Sequence, residues 1–139
     1  MRLWRVLLAF CVALVLLAAA SGAWLATRDR IVLRTNVRSP FINETALWSA
    51  SDGIDLWVEA PAVDTDWYRQ LLDDPMVEVR EHGRTHRFLA QPEPSARTRV
   101  RRLHRDKYGW ADLALGLLRD PERVIAVRLK RLPDSGTRA

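Results

Sequence analysis

A chain of 139 residues with 48% hydrophobic residues is long enough for one soluble domain and no more. Its single cysteine excludes a disulfide framework. The charges are unevenly placed, because two of the 22 basic residues and none of the 17 acidic residues precede Thr27. The rest of the chain holds 20 basic and 17 acidic residues, and this net charge of +3 does not by itself predict a nucleic-acid partner.

The first predicted element is an apolar helix. Residues 6–26, VLLAFCVALVLLAAASGAWLA, contain no charge, and these 21 residues match the roughly 20 needed to cross a bilayer. Arginines bound the segment on both sides. A buried globular helix is disfavoured, because a helix that is apolar all round needs protein on every side. We therefore predict an N-terminal transmembrane anchor in residues 1–27 and a soluble domain in residues 28–139.

Two points about this segment stay open. The basic N-terminus and the small residues AAASGA also match a cleavable signal peptide, whereas the continuation of the apolar run through Trp24 favours an uncleaved single-pass anchor in the cell membrane. The side of the membrane is equally open. Four arginines within residues 28–38 favour a cytoplasmic soluble domain, while the short basic N-terminus is typical of export.

After residue 30 the pattern is mostly that of strands. IVLRTNV is short and β-branched, and ETALWSA and IDLWVEA flank Asp52-Gly53. This pair predicts a two-residue hairpin turn, because glycine accepts the positive φ that such a turn needs. Trp48 and Trp57 lie on the two strands of the hairpin, where aromatic side chains commonly pack across strands.

A short helix is predicted next, in DTDWYRQLLDD. Asp64 or Thr65 can serve as the N-cap, and Pro75 follows the end of the helix. Its apolar residues at helical spacing are Trp67, Leu71 and Leu72.

The second half of the chain begins with another hairpin. MVEVREHGRTHRFLAQ alternates and turns at His82-Gly83. Pro92 and Pro94 then precede a basic helix that Gly109 ends, a shorter helix covers residues 110–118, and RVIAVRLKRL is a closing strand. The order βββαββααβ predicts a mixed α+β domain, a small antiparallel barrel with flanking helices.

Known catalytic motifs are missing from the sequence. It contains no Gly-rich phosphate loop and no nucleophile elbow, and a hairpin turn between His82 and His86 removes the helical spacing of metal ligands. No metal site is therefore predicted. The basic helix is either a solvated face or a surface for anionic lipid or a phosphate-bearing ligand. It lacks the repeated aromatic residues of a single-strand binder, so no nucleic-acid partner is predicted.

Residues 33–132 resemble the split β-barrel flavin and deazaflavin proteins, which include deazaflavin-dependent nitroreductases and pyridoxamine-phosphate-oxidase-like enzymes. TALWSASDGIDLWVEA resembles the central hairpin of this family and DWYRQLLDDPMVEV its helix-to-strand passage. KYGWADLALGLLRDPERVIAVRL resembles the C-terminal part of a membrane-anchored branch. The resemblance implies a six-stranded split barrel, FMN or a deazaflavin as cofactor, a homodimer, and two-electron reduction of quinones or nitro compounds.

The resemblance also suggests which residues hold the cofactor. Tyr108 and Trp110 would flank its flat ring system, Lys107 or Arg105 would supply a charge, and the helix beginning near Trp67 would attract a phosphate. The full candidate set is Arg34, Trp48, Trp67, Lys107, Tyr108 and Trp110. The competing interpretation is that the aromatic residues only anchor the terminal helices to the barrel.

One loop departs from the family pattern. PAVDTDW lacks the small and cationic residues that hold a cofactor phosphate, and Asp64 and Asp66 would repel one. Arg34, Arg38 and the basic helix are the alternative cations.

Two functions are therefore predicted. The first is a membrane-anchored flavin- or deazaflavin-dependent reductase acting on a quinone- or nitro-type acceptor, for which a lipid-soluble quinone would explain the anchor. The alternative is a non-enzymatic split-barrel binding or accessory domain at the membrane that has lost the cofactor phosphate site.

Overall fold

A computed structural model describes residues 2–28 and 30–133 of the chain. Asp29 and residues 134–139 of the predicted soluble domain lie outside the described residues. The chain begins with helix α1, Arg2–Arg28. Within α1, Leu3–Ser21 has a mean hydropathy of 2.5 and no part buried against the rest of the protein. The helix is therefore long and apolar enough to cross a membrane, a property that a signal sequence shares.

Six strands follow and close into an antiparallel barrel in the order β1-β2-β3-β6-β5-β4. Closure pairs β1 with β4, so each described strand has a hydrogen-bonded neighbour on both sides. The predicted barrel and its element order are confirmed. The strands are β1 Arg30–Thr35, β2 Asn43–Ser51, β3 Leu56–Ala60, β4 Met76–Glu81, β5 Arg84–Pro92 and β6 Ile125–Arg131.

The two predicted hairpins form, but their turns differ. Between β4 and β5, His82 and Gly83 have φ of 49° and 77°, which is the two-residue turn predicted there. Between β2 and β3 the prediction of a two-residue turn at Asp52-Gly53 is wrong. Strand pairing ends at Ser51↔Leu56, so residues 52–55 form a four-residue loop. The Asp52 side chain holds this wider loop by accepting hydrogen bonds from the backbone N–H groups of residues 54 and 55, at 3.0 and 2.8 Å.

The barrel interior is filled by the inward side chains of the strands and by one face of α2, Asp66–Asp73. Trp67, Tyr68 and Leu71 of this helix are buried, whereas Leu72 is exposed. The prediction that Leu72 belongs to the apolar face of α2 is wrong, because Leu72 lies about 100° around the helix from Leu71. Thr65 occupies the N-cap position, but its hydroxyl accepts from the Ala62 N–H instead of capping the helix.

A second, smaller core lies on the outside of the barrel. After a 3₁₀ turn, Pro94–Ala96, helix α3 runs from Arg97 to Tyr108, and α4, Trp110–Gly116, follows Gly109. Val100 and Leu103 of α3 pack on Trp57, which is fully buried and lies between the guanidinium groups of Arg99 and Arg128. This packing fixes α3 against β2, β3 and β6 and so positions the cleft described next.

Candidate functional site

The candidate site lies on the outer surface of the barrel, beneath α3 and α4. Strand alternation decides which side chains reach it. Leu47 pairs with Ile31 and packs on the barrel core, so their neighbours Trp48 and Arg30 point outward. Glu59 points outward for the same reason, since both of its neighbours in β3 belong to the core. Three adjacent strands thus present a cation, an aromatic ring and a carboxylate.

These side chains line a cleft of about 190 Å³ between the barrel and the two helices. Two acids, two arginines and a histidine surround it, so its charges are balanced. The volume suits a single ring system, because sites for whole small-molecule ligands measure about 300–1,000 Å³. The lining residues are Arg30, Ala46, Leu47, Trp48, Glu59, His104, Asp112 and Arg119.

Two buried polar atoms of the cleft residues have no hydrogen-bond partner within the described part of the chain. They are the indole Nε1 of Trp48 and the carboxylate Oε1 of Glu59. Buried polar atoms are almost always paired with protein, water or ligand. The indole N–H can only donate and an ionised carboxylate can only accept. A ligand that carries both a carbonyl oxygen and an N–H or O–H would satisfy both atoms.

The end of α3 is fastened to β2 beside this cleft. The Tyr108 ring stacks on Trp48 with centroids 4.6 Å apart and an interplanar angle of 16°. Its hydroxyl donates to the carbonyl oxygen of Ser49 at 2.8 Å, and Lys107 Nζ donates to the same oxygen at 2.9 Å. The stacking distance leaves no room for a third ring between Trp48 and Tyr108. A ligand must therefore contact this pair at an edge or an outer face.

His104 forms the floor of the cleft and is 2% exposed. Its Nδ1 lies 3.1 Å from the Val100 carbonyl oxygen, which can only accept, so Nδ1 carries a proton in this geometry. Its Nε2 lies 3.5 Å from the Trp48 carbonyl oxygen. The imidazole ring of His104 therefore lies between the backbone of α3 and that of β2. Among the described residues no group of three or more His, Cys, Asp or Glu side chains is placed to hold a metal ion.

The six predicted site residues do not form one cluster. Trp48, Lys107 and Tyr108 come together at the end of α3. Arg34 lies on the outer barrel wall, where it hydrogen-bonds Glu78 and pairs with Glu44 at 3.2 Å. Trp67 is inside the barrel core, and Trp110 begins α4 outside the set of cleft residues.

The alternative cation Arg38 is also engaged. Its Nε donates to Asp74 Oδ2 at 2.9 Å, and a second hydrogen bond joins the same two side chains. The hydrogen bond from Arg38 lowers the pKa of Asp74 and raises that of the guanidinium. Arg34 and Arg38 therefore each have a carboxylate partner on the barrel surface, and neither lines the cleft.

Sequence reasoning missed most of the cleft. Glu59 was the most accessible signal, since LWVEA places one acid in a strand that is otherwise apolar. Arg30, His104 and Asp112 come from three separate elements and Arg119 from the connection between α4 and β6, so they meet only in the folded chain.

Comparison with known proteins supports the fold. No family model and no curated protein matches the chain. Solved structures do match. A candidate pyridoxamine 5′-phosphate oxidase from Listeria innocua aligns with a TM-score of 0.56 at 16% identity, over 84% of this chain and 94% of that one.

Two further structures are similar. A structure named F420-H2 Dependent Reductase has a TM-score of 0.58 at 14% identity, over 74% of this chain and 95% of that one. The heme storage protein HutZ from Vibrio cholerae has a TM-score of 0.59 at 13% identity, over 84% and 90%. The chain therefore has the split-barrel fold that these proteins share, and the predicted resemblance is confirmed at the level of the fold.

Proposed function

We propose that this protein is a membrane-anchored flavin- or deazaflavin-dependent reductase that acts on a quinone- or nitro-type acceptor. The observation that carries the proposal is the outer cleft, where a buried donor and a buried acceptor of the barrel have no described partner. The similarity in fold to a structure named as a reductase is in keeping with it.

The cleft residues fit the ring of such a cofactor. Flavin and deazaflavin rings carry carbonyl oxygens and an N–H along one edge. Trp48 Nε1 would donate to a ring carbonyl, Glu59 would accept from the ring N–H, and Arg30 and Arg119 would face a negatively charged ring or tail. A bound cofactor of this class supplies hydride transfer, and the side chains bind and orient its ring.

The rest of the cofactor needs more room than the cleft provides. The cleft has a volume of about 190 Å³ in one copy of the chain, which holds a ring but no phosphate-bearing tail. We include a homodimer in the proposal, because a second copy would extend the wall of the cleft. We also include a single membrane span by α1, because Leu3–Ser21 of that helix is apolar and has no part buried against the rest of the protein. Such a span would bring the barrel to lipid-soluble quinones.

The alternative is a non-enzymatic binding or accessory domain at the membrane. Two features favour this alternative. The cleft is too small to hold a cofactor phosphate as well as a ring, and aspartates lie before and within the first turn of α2, where they would repel a phosphate. The similar heme storage protein is named for storage, not for catalysis.

Cofactor titration separates the two functions. Full-length protein in detergent is titrated with FMN and with a deazaflavin, and binding is followed by absorbance and fluorescence. We expect one of the two to bind, and Glu59→Gln to weaken it about tenfold, the equivalent of about 1.4 kcal/mol. Glu81→Gln, on the exposed β4–β5 hairpin, is the matched control and should leave the affinity unchanged. Folded protein that binds neither cofactor would reject the reductase and favour the alternative.

A further inference from the structure

Helix α4 and the turn after it present an apolar surface outward. Trp110, Leu113, Leu117 and Leu118 are 53%, 61%, 85% and 84% exposed, and three of them recur at the i, i+3, i+7 spacing of one helix face. The polar side chain of Asp112 lines the cleft instead. The large apolar side chains of α4 whose burial is described thus point outward, whereas the apolar face of a surface helix usually points inward. We call these four residues the α4 patch.

The neighbouring helix indicates what covers the patch. Helix α4 contacts α1, whose Leu3–Ser21 is exposed and apolar enough to span a bilayer. Strand β1 begins at Arg30, two residues after α1 ends, and Arg30 lines the same cleft as Asp112 of α4. The α4 patch therefore lies beside the place where the chain leaves the candidate span.

The charge around the patch suits lipid headgroups. Arg102 and Arg105, in the last two turns of α3 before α4, are exposed. Basic residues next to a membrane are attracted to an anionic lipid surface. A tryptophan at the start of an apolar face is typical of the interface between lipid and water.

We infer that the α4 patch lies in the headgroup region of an anionic bilayer, beside the membrane-spanning α1. The inference rests on the proposed anchoring of α1 and extends it to a second contact. With α4 in the interface, the cleft that it walls opens at the membrane surface, where the head of a lipid-soluble acceptor is located. The occupant of the patch is thus lipid, and a second copy of the chain is the competing outcome.

Site-directed labelling of the full chain tests this. In a Cys11→Ser background, Leu117→Cys is labelled with an environment-sensitive fluorophore and the protein is reconstituted in nanodiscs of phosphatidylcholine and phosphatidylglycerol. Phe41→Cys is the matched control, because Phe41 is 82% exposed and lies in the β1–β2 connection, at the end of β1 opposite Arg30. We expect the probe at 117 to shift to the blue, to be quenched by nitroxide lipids and to lose quenching by iodide. The probe at 41 should show no blue shift and no quenching by nitroxide lipids, and it should remain quenched by iodide.

Separate outcomes identify which proposal fails. Failure of the full chain to float with liposomes would reject the anchor and, with it, the α4 contact. Flotation together with iodide quenching at 117 equal to that at 41 would overturn the α4 inference alone. Shielding of 117 from both quenchers, with energy transfer between labelled copies, would assign the patch to a second copy and also overturn it.

Discussion

Trp57 and Trp110 are the same residue type in opposite environments. Trp57 is fully buried between two guanidinium groups, whereas half of Trp110 is exposed. We expect Trp57→Ala to lower the free energy of unfolding by about 3–5 kcal/mol, the usual cost of truncating a buried aromatic residue. Trp110→Ala should cost less than about 1 kcal/mol. Thermal denaturation in detergent measures both, and a large loss from Trp110→Ala would mean that its ring is part of the core.

Asp52 links the β2–β3 loop to the outer core through its carboxylate. The backbone N–H of Asp55 and the indole N–H of Trp57, at 2.8 Å each, lower the pKa of Asp52 to about 2, with a smaller contribution from Arg99. Because the pKa is depressed in the folded state, the carboxylate stabilises the fold above its unfolded value of 3.8. This stability is lost as the pH falls from about 4 to about 2.

Substitution of Asp52 tests this linkage. Asp52→Asn should be about 1 kcal/mol less stable at pH 7, the difference between charged and neutral hydrogen bonds. Its melting temperature should also fall less than that of the parent protein between pH 4 and pH 2. Asp106→Asn, on the exposed face of α3, is the control. If the melting temperatures of the parent protein and of Asp52→Asn fell by the same amount between pH 4 and pH 2, the role of this carboxylate would be refuted.

At the scale of the element, the β4–β5 turn depends on one glycine. Gly83 has a φ of 77°, a conformation that costs an L-residue about 1 kcal/mol or more. Gly83→Ala should therefore destabilise the protein by about 1 kcal/mol. Gly116→Ala is the matched control, since Gly116 ends α4, has no positive φ and has open space around it, and it should cause no loss. Chemical denaturation of the two variants gives the comparison, and equal stabilities would contradict the strained turn.

The sequence predicted the secondary-structure elements correctly where their formation depends on neighbouring residues alone. Alternation located the strands and His82-Gly83 gave the two-residue turn, because both signals depend only on neighbouring residues. Asp52-Gly53 misled because the conformation of that loop depends on the bond to Trp57, a side chain on the following strand. Leu72 was misplaced because spacing alone cannot define the centre of the apolar face in a helix of eight residues.

The cleft was harder to predict than the elements. Trp48, Lys107 and Tyr108, which the family resemblance suggests as cofactor residues, do lie together, although their contacts are with one another and with the β2 backbone. The sequence around Arg34 does not indicate that its guanidinium group pairs with Glu44 and Glu78, because these acids come from other strands. Only the register of the sheet reveals such neighbours. The cofactor role of the six predicted residues stays a prediction.

At the scale of the whole molecule, no described side chain of α1 belongs to either of the two cores. The barrel core and the outer core are both made from residues between Ile31 and Leu129. Helix α1 contacts α4, and none of the α4 side chains whose burial is described belongs to either core. The stability of the barrel therefore comes from described core residues outside α1.

Removal of the first 26 residues tests this independence. We expect the shortened chain to fold and to give a cooperative thermal transition close to that of the full chain, because no described core residue is lost. It should dissolve without detergent but self-associate at high concentration, since the α4 patch remains exposed without the membrane beside it. Leu117→Glu in the shortened chain should suppress the association and leave the melting temperature unchanged, whereas Phe41→Glu should not suppress it. Light scattering and circular dichroism measure the two properties, and an unfolded shortened chain would show that α1 is needed for the fold and not for location alone.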